Sequence, residues 1–503
     1  MASLKKNIIA NYIGRAWPAL LSILLVPVYI KFLGIEAYGL VGFFTTLSAV
    51  MGIFDLGIGS TMNRELAKRS AKPAEQSSQR DLVKTLEIIY WIIAVSVGIV
   101  VICISSFIAN SWVKAETLDS ETIVRAVQFM GLSIALRFPM SLYQGGLMGL
   151  QKQVLVNKIL IILGTVRGLG AVLVLWGISS TIYAFFAWQA VISIIGSISF
   201  LLAIWSVLPK SKIKARFSIQ ILSDVWRYAA AVSANALIGM CMSQLDKVIL
   251  STMLSLKMFA YYSIAATVAS AIWMIILPYN TAIFPKLVEL ITKDDKAKLK
   301  VFFHRMSQIL SVILLPIGFV LIFFSKEILF LWLKDEEVAE NSYLIMSFLV
   351  FGTLLNGLVS VPINSANAFG WPMLTTYTNL GQAIVVVPLI IYLVNEYDGL
   401  GASISWVIMN STYILISVPI FFNSYLKEEK KKWYFNDILI PMAVSSFVCL
   451  SSRLVAPELD SSFLILIWVL ITGSITILLT GMSMSAIRGL IISKFNFFNT
   501  KKC

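Results

Sequence analysis

Long apolar runs recur from one end of the chain to the other, with short polar joints between them. A bilayer core about 30 Å thick needs roughly 20 apolar residues per spanning helix, and most of the runs reach that length. The joints are too short to hold a soluble domain. The pattern predicts about fourteen transmembrane helices, with boundaries near 8–30, 39–63, 86–109, 124–148, 154–176, 180–205, 228–253, 258–285, 305–325, 343–369, 375–394, 401–425, 438–456 and 463–485.

The composition agrees with a chain that lies in lipid. Hydrophobic residues make up 58% of the 503 positions and charged residues only 13%, with a mean hydropathy of +0.85, which is far from the balance of soluble domains. The first apolar run follows Lys5 and Lys6 and continues to Ile30 without a cleavage site of small residues. We therefore expect a retained first span and not a signal peptide.

Neither the cysteines nor the short motifs indicate a metal site or a cofactor. The spacing of the cysteines is not typical of a disulfide framework or of a zinc site, and the chain has no GxxxxGK[ST] motif for binding ATP. We expect no cofactor and no internal ATPase. The four cysteines are Cys103, Cys241, Cys449 and Cys503.

The net charge of +14 is concentrated on one side of the predicted membrane. If the N-terminus is cytoplasmic, 28 of the 40 Lys and Arg residues fall in cytoplasmic joints, so the positive-inside rule predicts that both termini are cytoplasmic. Such charge orients the chain and contacts anionic lipid headgroups, and we do not expect nucleic-acid binding. The opposite joints lean acidic and are short, which argues against an extracytoplasmic catalytic domain and predicts that the chain is not an enzyme.

The chain contains an internal repeat. A shift of 221 residues places FLGIEAYGLVGFF (32–44) within MLSLKMFAYYSIAA (253–266), with Gly34 opposite Ser255, and both segments join one span to the next. Six predicted spans separate the copies, so both enter the membrane in the same direction. A parallel repeat of this kind predicts two lobes of six helices with the substrate path between them.

Three segments near the N-terminus resemble a known family: LKKNIIANYIG (4–14), VPVYIKFLGIEAYGL (26–40) and FDLGIGSTMNREL (54–66). They look like the signature of Wzx-type polysaccharide and O-antigen flippases of the multidrug/oligosaccharidyl-lipid/polysaccharide (MOP) exporter superfamily. The resemblance implies alternating access around a central cavity. It also implies transport of an undecaprenyl-diphosphate-linked oligosaccharide to the periplasmic leaflet of the bacterial inner membrane, alongside a polysaccharide polymerase and chain-length machinery.

The expected fold is an all-α polytopic membrane protein, similar to multidrug exporters of the MATE type, with two additional C-terminal helices. The predicted divisions are an N-terminal lobe at 1–205, a basic cytoplasmic linker at 206–227, a C-terminal lobe at 228–425 and the additional helices with a tail at 426–503. Many relatives have twelve spans, so the last pair departs from their pattern.

Charges that remain deep in the predicted spans are the candidate site residues. Each Arg or Lys costs roughly 2.5–3.5 kcal/mol at a helix centre on insertion scales, so these side chains should face a bundle interior or water. Guanidinium groups bind phosphate through two hydrogen bonds, which makes the arginines natural ligands of a diphosphate. The cations are Arg15, Arg137, Arg167 and Lys247, and the acids, candidates for ion coupling or pairing, are Asp55 and Asp246.

Structural pairing is the alternative role for some of these charges. Arg15 and Asp55 lie at equal predicted depth and are expected to neutralise each other or to serve the substrate and an ion separately. Asp246 and Lys247 are adjacent on a helix, and their different directions predict that they do not pair with each other. All the deep arginines fall in the first lobe, so we expect anion recognition to be asymmetric.

Two other functions remain open. A multidrug/cation antiporter of the same superfamily would prefer acidic sites, which the excess of cations disfavours. A membrane glycosyltransferase or O-antigen polymerase would act on the same lipid carrier but usually has a sizeable outer loop, which this chain lacks.

Overall fold

The structure, a computed structural model, describes residues 11, 14, 16–55, 57–71, 76–211, 214–456, 461–485 and 488, with the backbone alone at 76–77 and 227–243. Within these ranges the chain is almost wholly helical, and its only β-type pairing is one isolated bridge between Lys114 and Ser255. Helices satisfy their own backbone hydrogen bonds, which lipid requires of a segment that crosses it. The expected all-α fold is confirmed.

The described residues form two compact units, Met1–Ala260 and Tyr261–Cys503. The four predicted domain divisions stay a prediction. Helices of the first unit are α1 (16–24), α2 (Val26–Leu33), α3 (Ile35–Met51), α4 (Ile58–Ser70), α5 (Gln76–Cys103), α6 (Ser120–Arg137), α7 (Pro139–Gly149), α8 (Gln153–Gly177), α9 (Ile182–Val207) and α10 (Ile219–Met253).

The second unit begins within α11. Its helices are α11 (Leu256–Ala271), α12 (Trp273–Thr292), α13 (Lys296–Phe323), α14 (Ser325–Leu333), α15 (Glu336–Leu358), α16 (Ser360–Ala368), α17 (Met373–Thr412), α18 (Val418–Tyr425), α19 (Ile440–Val455) and α20 (Ser462–Ser483). Short 3₁₀ and π-helical turns join several of them, including Gly52–Asp55 in the first unit and Trp433–Leu439 in the second.

Twelve segments of the described chain are long and apolar enough to cross a membrane. The chain is a multi-pass membrane protein. The predicted boundaries 154–176 and 180–205 differ by only one or two residues from Gln153–Gly177 and Ile182–Val207.

One of the twelve segments, Met373–Tyr425, is a helical hairpin and not a single crossing. The backbone leaves the helical conformation at Tyr397 and Asp398, where Asp398 has φ of 50°. The two arms then run side by side, since Gln382 Nε2 donates to the Met409 carbonyl at 3.0 Å and Thr378 Oγ1 lies 2.8 Å from Ser417 Oγ. The separate predicted spans 375–394 and 401–425 correspond to these arms.

Helix α10, 35 residues long, is a further helix of membrane length outside the twelve segments. Because length and composition alone define such spans, the exact number of fourteen stays a prediction.

Helix boundaries follow the repeat found in the sequence. Helix α3 begins at Ile35, directly after Gly34, and α11 begins at Leu256, directly after Ser255. These starts differ by 221 residues, the same shift that aligns the two sequence segments. Gly34 has φ of 81°, a conformation that glycine adopts without strain.

The predicted span 39–63 is wrong in its extent. Helix α3 ends at Met51, a 3₁₀ turn occupies Gly52–Asp55, and a new helix begins at Ile58 after Gly57, whose φ is 64°. The physical reason is the left-handed backbone at Gly57, which cannot continue an α-helix. This break lies next to the candidate site.

Candidate functional site

A helix break and an intrahelical proline of the first unit lie side by side. The break is the turn Gly52–Asp55. The proline is Pro139, where α6 continues into α7 through Phe138, which keeps helical backbone angles and donates to the Ile134 carbonyl at 3.0 Å. A proline inside a membrane helix removes one backbone hydrogen bond, and broken helices in transporters present polar groups to a substrate or an ion.

Asp55 connects the helix break with the segment that follows Pro139. Its Oδ1 accepts hydrogen bonds from the Tyr90 hydroxyl at 2.5 Å and from the Ser141 hydroxyl at 2.7 Å. Ser141 lies two residues after Pro139. The described residues contain no cation paired with Asp55, so two hydroxyl groups stabilise its charge. Tyr90 and Ser141 were missed in the sequence because nothing in their spacing connects them with Asp55.

Glycines bring α7 and α4 into close contact beside this junction. A Cβ at Gly145 would lie 2.1 Å from the Gly59 carbonyl oxygen, and one at Gly149 would lie 2.3 Å from the Asn63 carbonyl oxygen. Gly145 and Gly149 are four residues apart and share one face of α7, which is the small-residue spacing that lets membrane helices approach closely. This packing fixes α7, and therefore the end of α6 that carries Arg137.

Arg137 and Arg167 lie close together in the first unit. Arg137 is the last residue of α6, Arg167 lies in the middle of α8, and the two guanidinium groups are near enough to repel each other. The Arg137 side chain has accessible surface although surrounding helices enclose it, whereas Arg167 is half-buried. These two predicted site residues therefore lie near each other in the first unit.

Neither arginine has a carboxylate partner among the described residues. The Arg167 Nε is sealed from solvent and makes no hydrogen bond there. The neighbouring groups are polar but neutral: the Tyr29 hydroxyl donates to the Gly168 carbonyl at 3.1 Å, and Trp188 Nε1 donates to the Arg167 carbonyl at 3.2 Å. Two unpaired cations in a membrane span are costly, and a bound anion would offset that cost.

The remaining predicted site residues lie elsewhere. Arg15 falls outside the described residues, so its pairing with Asp55 stays a prediction. Lys247 Nζ lies 4.0 Å from Asp246 Oδ1, at the limit of an ion pair, and both side chains are largely buried. The expectation that these neighbours would not pair is therefore corrected: the lysine stem is long and flexible enough to bring its ammonium group back to the preceding carboxylate.

Intramembrane amides in the second unit mostly connect helices. Asn356 Nδ2 donates to Asn410 Oδ1 at 2.6 Å, and Gln382 Nε2 donates to the Thr412 hydroxyl as well as to the Met409 carbonyl. Such bonds hold membrane helices together. In the described part of the chain, no group of three or more His, Cys, Asp or Glu side chains has the arrangement of a metal site.

Comparison with known proteins decides the family. The model of the family described as "Polysaccharide biosynthesis protein" matches residues 4–291, more than half of the chain. The chain belongs to the polysaccharide biosynthesis protein family. A second family model, MatE, matches residues 232–392 and overlaps the first. The predicted relationship to O-antigen flippases of the MOP superfamily is confirmed by these matches together with the relatives described next.

A curated protein of Shigella flexneri, described as a "Putative O-antigen transporter", is 25% identical over 408 residues, which cover 80% of this chain and 94% of that protein. The solved structure described as "Lipid II flippase MurJ, inward closed conformation" superposes with a TM-score of 0.71 at 16% identity, over 96% of this chain and 99% of the other. A solved structure of the MATE multidrug transporter DinF-BH has a TM-score of 0.60 at 15% identity, over 84% of this chain and 95% of the other.

These structural similarities establish the fold, which is shared with the MurJ and MATE structures, and the predicted MATE-like fold is confirmed. By their names the relatives are transporters and flippases and not enzymes, in agreement with the prediction for this chain.

Proposed function

We propose that this protein is a flippase that moves an undecaprenyl-diphosphate-linked oligosaccharide repeat unit from the cytoplasmic to the periplasmic leaflet of the bacterial inner membrane. Family membership and the names of the relatives support transport of a lipid-linked oligosaccharide. The diphosphate as the recognised group rests on the site itself. Alternating access would move the head group while the polyprenyl tail stays in lipid.

The observation that carries the proposal is the unpaired couple of Arg137 and Arg167. Two guanidinium groups that repel each other without a neighbouring carboxylate form a site for a ligand with at least two negative charges. A diphosphate has those charges on adjacent phosphoryl groups, and each phosphoryl accepts two hydrogen bonds from one guanidinium. A cationic drug, by contrast, would be repelled here, which disfavours the antiporter.

The neighbouring residues then have supporting roles. The Tyr29 hydroxyl fixes the segment of α8 next to Arg167, and Asp55 fixes the start of α7 next to Arg137. Lys247 is a candidate for a further contact with the anion. Asp55 and Asp246 are the candidates for coupling to an ion gradient or for pairing with a cation.

Charge placement supports the orientation in which both termini are cytoplasmic. A lipid-linked repeat unit delivered to the periplasmic leaflet would become the substrate of a polymerase and of chain-length machinery. These proteins are the proposed partners.

The test is transbilayer movement of an undecaprenyl-diphosphate-linked oligosaccharide by purified protein in liposomes. We expect Arg137→Gln and Arg167→Gln each to lower the rate about tenfold or more, since a hydrogen bond to a charged group contributes about 1.5–3 kcal/mol. Arg125→Gln is the matched control because Arg125 lies on the same helix as Arg137, is exposed and pairs with Glu121. Normal movement by the Arg137→Gln/Arg167→Gln double variant would overturn the site assignment, and gradient-driven efflux of a cationic dye without lipid movement would favour the antiporter.

A further inference from the structure

A cavity of about 200 Å³ lies within the second unit, far along the chain from the arginine site. It is formed where α13 and α19 end and where α20 begins, so it lies at the ends of three candidate spans. By the predicted orientation this end is periplasmic. The residues that line it are Phe324, Glu327, Arg453, Ala456, Ile465, Trp468 and Val469.

One wall of the cavity carries an ion pair. Arg453 Nη1 donates to Glu327 Oε1, and the Arg453 guanidinium carbon lies 5.8 Å from the centroid of the Phe324 ring. The aromatic face holds the guanidinium by a cation–π interaction. About two-fifths of the Arg453 side chain remains exposed, so it has hydrogen-bond donors to spare for another group.

Two other polar atoms of the same wall have no partner in the described residues. Glu327 Oε2, an acceptor, and Trp468 Nε1, a donor, are both sealed from bulk water and make no hydrogen bond there. A buried polar group without a partner is unfavourable and unusual in a folded protein. The residues that line the cavity therefore hold an unsatisfied acceptor and an unsatisfied donor just beneath its surface, beside a partly exposed cation.

This combination selects the chemistry of a ligand. A simple anion would match Arg453 and the Trp468 N–H but would face the Glu327 carboxylate, and a simple amine would match Glu327 but face Arg453. A ligand with both an ammonium group and a phosphate satisfies all three. At roughly 30 Å³ for each water molecule, the cavity is also much larger than a single water needs.

The surroundings indicate where such a ligand comes from. Large apolar side chains beside the cavity are exposed on the helix ends, with Leu454 77% and Phe463 68% accessible. An apolar surface next to a polar recess at the end of a span matches an amphiphile whose head enters the recess and whose chains lie along the helices. We propose that this cavity binds the ethanolamine phosphate headgroup of a membrane phospholipid, with the ammonium on Glu327 and the phosphate on Arg453 and Trp468.

The proposal is tested by lipid binding to the purified full-length protein, measured by native mass spectrometry with phosphatidylethanolamine, phosphatidylcholine and phosphatidylglycerol in separate titrations. The choline ammonium is fully methylated and has no N–H to donate to Glu327, and phosphatidylglycerol has no ammonium at all. We expect phosphatidylethanolamine to bind at least about fivefold more tightly than either. Equal retention of the three lipids by the unchanged protein would overturn the proposal without any variant.

Two variants locate the site. Glu327→Gln should remove most of the preference for phosphatidylethanolamine over phosphatidylglycerol. Trp468→Phe deletes the N–H and keeps an aromatic ring, and it should weaken the binding of phosphatidylethanolamine about fivefold. The controls are Glu121→Gln, an exposed carboxylate of the first unit, and Trp176→Phe, a tryptophan that is 75% exposed. Headgroup selectivity that survives in both site variants would assign the binding to another part of the surface.

Discussion

The His304 Nδ1 lies 2.5 Å from Asp437 Oδ2, and both side chains are buried although they are 133 residues apart in the chain. The second ring nitrogen, Nε2, lies 3.0 Å from Glu429 Oε2, so the imidazole is placed between two carboxylates. Gln308 donates to the other Asp437 oxygen at 2.8 Å. This cluster fastens α13 to the segment that leads into α19.

Breaking the cluster should destabilise the second unit. Asp437→Ala would remove an acceptor from the buried side chains of His304 and Gln308, and a buried polar group that loses its hydrogen-bond partner costs about 1–3 kcal/mol. We expect a clear fall in the melting temperature of the protein in detergent, measured by fluorescence-detected gel filtration after heating. Glu428→Gln is the control, since that carboxylate lies in the same region, is 83% exposed and pairs with Lys300. An unchanged melting temperature for Asp437→Ala would show that the cluster does not hold α13 in place.

The fold could be predicted from the sequence much further than the contacts within it. Hydropathy located spans such as 154–176 because lipid imposes one length and one polarity on every crossing. The same argument missed the break before Ile58, since a glycine turn inside an apolar run does not alter hydropathy. Depth in the membrane identified Arg137 and Arg167 as candidates, but their proximity depends on how α6 and α8 each pack against α9. Nothing in the sequence near His304 or Asp437 indicates that these two residues are in contact.

Close helix packing beside the candidate site makes Gly145 sensitive to substitution. In Gly145→Ala the new methyl group would meet the Gly59 carbonyl, a backbone atom that moves only with the whole of α4. Overpacking of this kind costs about 1–3 kcal/mol, so we expect lower stability. We also expect slower lipid transport, because a shift of α7 would displace Arg137 at the end of α6. Gly381→Ala is the control, since nothing lies within 4 Å of its added Cβ. Wild-type stability and transport in Gly145→Ala would contradict the proposed role of this contact.

The Tyr29 hydroxyl should matter for transport through its effect on Arg167. Tyr29→Phe keeps the ring, which packs edge-on against Phe185, and removes only the hydrogen bond to the Gly168 carbonyl. A hydrogen bond contributes about 0.5–1.5 kcal/mol, so we expect the transport rate in liposomes to fall about twofold to tenfold. Tyr38→Phe serves as the comparison, because Tyr38 is equally buried and makes no side-chain hydrogen bond in the described residues. The same loss in both variants would indicate a general effect of removing a buried hydroxyl.

Asp55 has two alternative roles, which one variant distinguishes: it anchors the helix break, or it couples transport to an ion gradient. Its carboxylate accepts hydrogen bonds from the hydroxyl groups of Tyr90 and Ser141, and these contacts stabilise its negative charge. Asp55→Asn keeps one acceptor oxygen but loses the charge. We therefore expect about 0.5–1.5 kcal/mol lower stability and a slower transport rate whose dependence on a proton or sodium gradient is unchanged. The measurement is lipid movement in liposomes with and without each gradient. Asp81→Asn is the control for the loss of an acidic group. The Asp81 carboxylate accepts a hydrogen bond from the Arg216 backbone N–H elsewhere in this unit. A variant that transports at the same rate with and without the gradient, while the wild type responds to it, would make Asp55 the coupling residue.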